Sequence, residues 1–234
     1  MKGSAAFIFS LLMIPFLAPA QDFGYEYYNI LDYRSLGVNY SLQEFTPRPS
    51  NSLPDSERIS FKTNLPFIEF RQLGMRLAVG YQTYAMNGQS RSSFSVYAES
   101  SNDFPISGKA DRSGFFLPVI ISANYVKAES GIFGIKNFDI GSLGIGTGLK
   151  YRYFGQNFGI EAYVNGSFHY ATEGFSVEYG SSTTYTGELH CIFPEIFLDG
   201  IDVGYRYQWQ SWNMSNAIFD YQRYYHGAFL GVLF

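Results

Sequence analysis

The sequence predicts an all-β chain folded as an up-and-down antiparallel transmembrane β-barrel of ten strands, with eight strands as the alternative. Apolar residues recur at every second position through most of the chain, which is the period of a strand. Aromatic residues make up 19% of the chain and charged residues only 15%. After residue 20, no apolar run approaches the ~20 residues of a membrane-spanning helix. An exported chain this apolar can satisfy its backbone in lipid only as a closed barrel.

The first element is a predicted secretory signal peptide at residues 1–20. Lys2 precedes an apolar stretch at 5–17, and Ala18-Pro19-Ala20 has the small-residue pattern of a cleavage site before Gln21. The alternative is a single membrane-spanning helix, but the stretch is shorter than the ~20 residues that such a helix needs. Residues 21–234 then form one barrel domain.

The strands follow in order, each defined by alternation of apolar and polar residues. The pattern is clearest in GIDVGYRYQWQ, where Ile201, Val203 and Trp209 share one face and Asp202 and Arg206 share the other. SLGVNYSLQ, GMRLAVGYQTY, SLGIGTGLKYRY and FGIEAYVNGSFHY alternate in the same way. The predicted strands are 34–45, 58–70, 73–86, 91–100, 114–128, 140–154, 157–171, 184–198, 201–212 and 218–234.

Connection lengths favour the up-and-down order. Barrels of this kind have short turns on the periplasmic side and longer loops outside. If the C-terminus is periplasmic, the short turns at 71–74, 154–157 and 198–201 all fall on that side. The longer connections fall on the other side, at 46–57, 129–139 and 172–182. A long connection at 101–113 is the exception, because it falls on the periplasmic side and argues against ten strands.

The composition of the two faces indicates lipid outside and polar groups inside. The polar faces are rich in Gly, Gln, Asn, Ser and Tyr and poor in Lys and Glu, whereas the outer face of a soluble sandwich is charged. The apolar faces carry Tyr and Trp towards the strand ends, as in the aromatic girdles of membrane barrels. A secreted sandwich or adhesin domain is the alternative.

The signal sequence, the Tyr-rich alternating strands and the final AFLGVLF resemble bacterial outer-membrane β-barrel proteins, and most of all the small barrels of Bacteroidetes-like bacteria. The resemblance implies location in the outer membrane, in contact with its lipid. It also implies that the end of the chain is a signal read by the barrel-assembly machinery, although His226 departs from the usual apolar choice. The residues of that signal are Ala228, Leu230, Val232 and Phe234.

Hairpin geometry predicts opposite charges inside the barrel. With Gly155-Gln156 as a two-residue loop, Lys150 lies opposite Glu161. With Asp199-Gly200 as the next loop, Glu195 lies opposite Gly204 and diagonal to Arg206. We interpret the inward charges as a salt-bridged plug and not as an ion path, because side chains fill the interior of a small barrel. The predicted lumen cluster is Lys150, Glu161, Glu195, Asp202, Arg206 and Arg223.

Catalytic and cofactor chemistry is not predicted. Ser167 and His169 share a face with Glu161, but alternate strand residues lie about 6.6 Å apart and no motif supplies an oxyanion site. His169 is expected near the outer rim, so a rim-sited lipid enzyme is an alternative. His190 and Cys191 point to opposite faces, which disfavours a metal site.

Three further features exclude other functions. The glycines of GIGTGLK lack the spacing of a nucleotide-binding loop, and we expect them to make room for inward side chains such as Tyr163. Cys191 is the only cysteine, so a disulfide framework is excluded, and the net charge of -4 without a basic patch disfavours nucleic acid. The predicted role is structural, or binding through extracellular loops to an unspecified ligand. A narrow transport channel is an alternative.

Overall fold

The computed structural model describes residues 33–109, 113–131, 136–155, 157–174, 178–194, 196 and 199–234, which form a closed barrel of ten antiparallel strands. Each strand pairs with its neighbours in sequence, and β1 pairs with β10 to close the barrel. Ten strands are therefore confirmed over eight. The strands are β1 (Arg34–Pro47), β2 (Phe61–Gln72), β3 (Met75–Met86), β4 (Gln89–Lys109), β5 (Ser113–Ala128), β6 (Phe138–Phe154), β7 (Gly159–Glu173), β8 (Tyr179–Pro194), β9 (Gly200–Met214) and β10 (Tyr221–Leu233).

The two ends of the barrel differ in their connections. At the end where β1 begins and β10 finishes, here the terminal end, the strands are joined through 73–74, 110–112, 155–158 and 195–199. At the opposite end, here the loop end, they are joined through 48–60, 87–88, 129–137, 174–178 and 215–220. The predicted long connection at 101–113 is wrong, because residues 101–109 continue β4 and pair with β5. The long connection that argued against ten strands is thereby removed.

The β3–β4 hairpin contains a tight turn that the alternation of apolar and polar residues did not predict. Its two-residue loop is Asn87-Gly88, with positive φ angles of 52° and 73°. Two successive left-handed residues make the turn that matches the twist of a hairpin, and Asn-Gly is its preferred sequence. A tight turn therefore occurs at the loop end as well as at the terminal end.

The outer face of the barrel is apolar and carries charge only near the strand ends. Ile145, Ile68 and Leu230 point outward and are 70%, 66% and 62% exposed. Among the described strand side chains, the outward-facing Asp, Glu, Lys and Arg residues are Arg34, Glu44, Lys62, Lys127 and Asp139. Arg34 lies at the terminal end of its strand, and the other four lie towards the loop end. No helix in the described part of the chain is long and apolar enough to cross a membrane.

The inner face is filled in three successive layers. The aromatic layer lies at the loop end and contains Phe45, Phe61, Tyr84, Phe138, Trp212 and Tyr221. The amide layer lies below it and contains Gln43, Gln82, Ser93, Ser95, Asn124, Ser167, His169, Thr184, Gln208, Gln210 and Arg223. The charged layer lies towards the terminal end and contains Glu69, Arg71, Arg76, Glu99, Asp103, Lys150, Arg152, Glu161, Glu188, His190, Asp202 and Arg206.

A smaller apolar group lies beyond the charged layer. Tyr33, Phe154, Ile192 and Leu233 are all buried and pack together at the terminal end. β9 shows the order of the layers along one strand, since Trp212, Gln210 and Arg206 follow one another on its inward face. The lumen is thus occupied by side chains at both ends.

Candidate functional site

The charged layer is centred on Arg206, which is 2% exposed and holds two carboxylates. Its Nη1 and Nη2 donate to the two oxygens of Glu69 at 2.8 and 2.5 Å. Its Nε donates to Glu188 Oε2 at 2.9 Å. The planar guanidinium matches two carboxylates at once, and paired hydrogen bonds of this kind are the strongest that arginine makes. Arg206 therefore ties β9 to β2 across the lumen and to β8 beside it.

Glu188 is the acceptor that joins the other cations of this layer. Arg76 Nη1 donates to Glu188 Oε2 at 2.7 Å, and Arg71 also donates to Glu188. His190 lies between two carboxylates, with ring nitrogens 2.7 Å from Glu188 Oε1 and 2.7 Å from Asp202 Oδ1. Every carboxylate here is buried, so each needs several donors to offset its lost hydration.

Gly204 supplies the space for His190. A Cβ on Gly204 would lie 2.3 Å from His190 Cε1 and 2.5 Å from His190 Nε2. Only glycine leaves the imidazole room to reach Asp202 across the β8–β9 pair. The ionic network thus depends on the lack of a side chain at Gly204.

The predicted pairing of Lys150 with Glu161 is wrong. Phe154 pairs with Gly159, so the β6–β7 loop has four residues and the register moves by two. Arg152 then lies opposite Glu161, at 3.3 Å, and Lys150 pairs with Asp103 at 2.9 Å. Both Lys150 and Glu161 remain in the lumen, because a shift of two residues keeps each side chain on its face.

The predicted pairing of Glu195 with Gly204 is also wrong. Glu195 itself lies outside the described residues, but Gly204 pairs with His190, and Arg206 pairs with Glu188. The predicted register would have placed odd-numbered residues of β8 in the lumen, whereas the structure places even-numbered residues there. Glu188 and His190 were missed for this reason. Tyr185, Leu189 and Phe193 were the available signal, because their spacing marks the outward face.

Other members of the charged layer were missed although their strands alternate clearly. In FIEFRQ of β2, Glu69 and Arg71 alternate with Ile68 and Phe70, which places the two charges on the face opposite to those two apolar residues. Asp202 was placed in the lumen by sequence, and it accepts a hydrogen bond from Ser35 Oγ at 3.0 Å. A complete assignment of alternate charges would therefore have found this layer.

Arg223 points into the lumen, as predicted, but its described hydrogen bonds go to neutral groups and not to the carboxylates of the charged layer. Its Nη1 donates to Ser95 Oγ at 2.9 Å, and its Nη2 donates to Gln210 Oε1 at 2.9 Å. Its guanidinium carbon lies 5.7 Å from the Trp212 ring and 5.3 Å from the Tyr225 ring. Arg223 pairs with Gln210, and Gly227 pairs with Arg206, so Arg223 lies four residues nearer the loop end than the centre of the charged layer.

Ser167 and His169 are close together but lack the rest of a catalytic triad. Ser167 Oγ is 2.7 Å from His169 Nε2, whereas His169 Nδ1 has no described hydrogen-bond partner. Glu161 instead contacts Arg152 and Arg71. His169 is fully buried inside the lumen and not at the outer rim as predicted.

The alternating glycines of β6 make room for the polar side chains of β7. A Cβ on Gly144 would lie 2.5 Å from His169 Cγ, and one on Gly146 would lie 2.6 Å from Ser167 Cβ. The expected role as small inward positions is therefore observed, but the nearest neighbours are not the predicted Tyr163. In the part of the chain that the structure describes, no cluster of His, Cys, Asp and Glu could hold a metal ion.

The loop end is covered by an ordered connection between β1 and β2. Asn51 Nδ2 donates to Ile218 O at 3.0 Å, and Ser50 Oγ donates to Asp220 Oδ2 at 2.5 Å. Arg48 N donates to Asp220 O at 3.0 Å. These bonds fix the connection against the β9–β10 connection. Between them lies a mainly apolar cavity of about 250 Å³, lined by Leu53, Ile59, Lys136, Phe138, Ile218, Phe219 and Tyr221.

The residues of the predicted assembly signal lie on the outward face of β10. Leu230 and Val232 are 62% and 38% exposed, and Ala228 shares their direction. Phe234 is 58% exposed, and its backbone N–H donates to Arg34 O at 3.1 Å. They form one strip of outer surface beside the closing seam between β1 and β10.

Comparisons with known proteins give only distant similarities. No protein-family model matches the chain, and no curated protein matches it. Solved structures with some similarity include the outer-membrane protease OmpT of Escherichia coli, with 9% identity over 86% of this chain and 95% of that chain and a TM-score of 0.37. Ail, the attachment invasion locus protein of Yersinia pestis, has 9% identity over 87% of this chain and 99% of that chain, with a TM-score of 0.28. A Pseudomonas aeruginosa FadL homologue has 6% identity over 86% of this chain and 89% of that chain, with a TM-score of 0.24.

Proposed function

We propose that the chain is an integral outer-membrane β-barrel with a closed lumen, exported by the signal peptide at residues 1–20. The observation that carries this proposal is the uncharged band of the outer face between the charges near the strand ends. In β1, the nine residues 35–43 separate the outward charges of Arg34 and Glu44. A transmembrane strand needs about 9–11 residues, so this span fits the apolar thickness of a bilayer.

The filled lumen supports a structural or binding role over transport. The aromatic layer and the charged layer each occupy the lumen, at opposite ends of the amide layer. An ion crossing the barrel would have to displace buried rings and break buried ion pairs. A rim-sited lipid enzyme is not supported either, because Ser167 and His169 are buried and no described residue completes a catalytic triad with them.

We place the binding role at the loop end, which the proposal orients towards the outside of the cell. Hydrogen bonds fix its β1–β2 connection against its β9–β10 connection, and an apolar cavity of about 250 Å³ lies beside them. Preformed, mainly apolar cavities are the usual form of small-ligand sites. An apolar group of a ligand would fit this cavity, with Lys136 at its edge.

The two tryptophans of the chain allow a direct test of membrane insertion. Trp209 faces outward, whereas Trp212 is 1% exposed and points into the lumen. We expect that phospholipids with brominated acyl chains quench the fluorescence of the Trp212→Phe variant, which retains Trp209. The Trp209→Phe variant, which retains Trp212, should keep its intensity. Equal intensities in brominated and ordinary lipid for both variants would contradict membrane insertion.

Phe234 allows a test of the proposed barrel-assembly signal. Phe234 and Tyr40 are both 58% exposed outward aromatic residues, so Tyr40→Ala is a matched control for Phe234→Ala. We expect Phe234→Ala to lower the amount of folded barrel in cells severalfold, while purified protein refolds into detergent with an unchanged yield. Tyr40→Ala should change neither quantity. An equal loss in cells for both variants would show a general effect of outer aromatic residues.

A further inference from the structure

Arg223 is a buried cation without a carboxylate partner among the described residues. It is 2% exposed, and both of its described hydrogen bonds go to neutral acceptors, Ser95 Oγ and Gln210 Oε1. No described ion pair within 4.0 Å includes it. A guanidinium remains charged in proteins, so it cannot reduce this cost by losing its proton. A buried charge without a counterion is among the most unfavourable features of a folded chain.

The carboxylates of the charged layer do not supply the missing counterion. Each of the six lies within 4.0 Å of a cation other than Arg223. Arg206 pairs with Glu69 and Glu188, and the remaining pairs are Arg76–Glu99, Lys150–Asp103, Arg152–Glu161 and Arg71–Asp202. The charged layer is therefore complete without Arg223.

Unused hydrogen-bond donors collect in the amide layer around Arg223. The Nε of Arg223 has no described partner, and neither does the Nε2 of Gln210, which lies directly opposite on β9. Thr184 lies opposite Gln210 on β8, and its Oγ1 has no described partner either. All three side chains are at least nine-tenths buried.

A second set of unused groups lies across the lumen, where Arg223 reaches Ser95. Ser93 is two residues from Ser95 on the same inward face, and its Oγ has no described partner. Gln82 pairs with Ser93 across the β3–β4 hairpin, and both of its amide atoms are without a described partner. Buried polar groups are nearly always hydrogen-bonded, so these unpaired polar atoms near one cation require an explanation.

We propose that the amide layer binds one small monovalent inorganic anion, of the chloride class, against Arg223. The anion would accept hydrogen bonds from the guanidinium and from the amide and hydroxyl donors of Gln210, Gln82, Ser93 and Thr184. It supplies the negative charge that the strands do not. A small anion suits this position because side chains fill the lumen above and below it. An anion of higher charge is disfavoured, because the one positive charge of Arg223 would leave part of it uncompensated in a buried position.

The test compares unfolding in different sodium salts. The purified chain is refolded and unfolded in chloride, bromide or gluconate at one ionic strength, so that an enclosed site can load during folding. We expect a higher thermal midpoint in chloride and bromide than in gluconate, increasing with halide concentration until the site saturates. Arg223→Gln should have the same midpoint in all three salts. Lys62→Gln, an exposed control, should keep the halide response of the wild type.

A second measurement on the unmodified chain keeps the proposal testable if Arg223→Gln does not fold. Crystals grown in bromide should show an anomalous-scattering peak within hydrogen-bonding distance of Arg223 and Gln210. Two results would overturn the proposal. One is a halide response of Arg223→Gln equal to that of the wild type. The other is a bromide-grown crystal in which water alone contacts Arg223.

Discussion

Arg206→Met is expected to lower the free energy of unfolding by about 3–5 kcal/mol, because it leaves the buried carboxylate of Glu69 without its main partner. Glu69 is fully buried, and Arg206 donates to both of its oxygens. The next cation, Arg71, lies 3.9 Å from Glu69 Oε1. Glu188 keeps Arg71 and Arg76 after the substitution, so the main loss falls on Glu69.

A double substitution separates the buried charge from the packing of the side chain. Glu69→Gln combined with Arg206→Met removes both members of the pair, and neutral replacement of a buried ion pair costs far less than removal of one member. We therefore expect the double variant to regain most of the stability that Arg206→Met loses. Equal destabilisation of the single and double variants would contradict this account.

The measurement is equilibrium unfolding by urea in lipid vesicles. The folded fraction is determined from the heat-dependent migration of the chain on gels. Lys136→Met is the control, since Lys136 is 53% exposed at its side chain and lies 3.2 Å from Glu173 at the loop end. Exposed ion pairs contribute at most about 1 kcal/mol. A loss for Lys136→Met as large as that for Arg206→Met would show that burial does not set the cost.

The fold could be predicted from sequence because each face of a barrel strand contacts one kind of environment. The alternation in GIDVGYRYQWQ assigns Asp202 and Arg206 to the lumen and Trp209 to the outside, as the structure has them. The number of strands follows from counting such windows. The segment at 101–113 had argued against ten strands because it looked like a long periplasmic connection. Residues 101–109 instead extend β4 past its pairing with β3 and pair with β5.

The lumen contacts could not be predicted as well, because they depend on register. The β6–β7 loop has four residues and not two, which changes the partner of Glu161 from Lys150 to Arg152 without changing its face. In β8 the error was an odd number of residues, and an odd shift exchanges the two faces of a strand. Glu188 and His190 were lost through that exchange.

Contacts across the lumen cannot be predicted from the pairing of adjacent strands. Arg206 meets Glu69 from a strand 137 residues away, and Arg223 meets Ser95 across 128 residues. Such pairs depend on barrel closure, on strand tilt and on which long side chains reach the axis. The sequence indicates that these side chains point inward, and only the closed structure shows which of them meet.

Trp212→Ala is expected to lower the free energy of unfolding by about 3–5 kcal/mol, the usual cost of truncating a buried tryptophan. Trp212 is 1% exposed, and its ring centroid lies 5.0 Å from that of Phe138 and 6.2 Å from that of Phe45. The substitution would leave a cavity in the aromatic layer and remove the ring beside Arg223. Trp212→Phe keeps a ring in that position, so its loss should be clearly smaller.

Trp209 provides the matched control for this position. It is only partly buried, and it stacks on Tyr185 on the outer face, with ring centroids 5.4 Å apart. Trp209→Ala creates no cavity in the lumen, so it should destabilise the barrel less than Trp212→Ala does. Urea unfolding in lipid vesicles measures all three variants under one condition. A ranking in which Trp209→Ala costs more would contradict the assignment of Trp212 to the lumen.

The Trp212→Ala variant also tests whether the aromatic layer and the charged layer each block the lumen. Under the proposed function, the charged layer closes the barrel independently of the aromatic layer, because the ion pairs of Arg206 with Glu69 and Glu188 do not involve Trp212. We therefore expect a flat current trace in planar bilayers for the wild type and also for Trp212→Ala. Stepwise conductance in Trp212→Ala alone would mean that the aromatic layer is the only barrier. Stepwise conductance in the wild type would contradict the closed lumen and favour the transport channel.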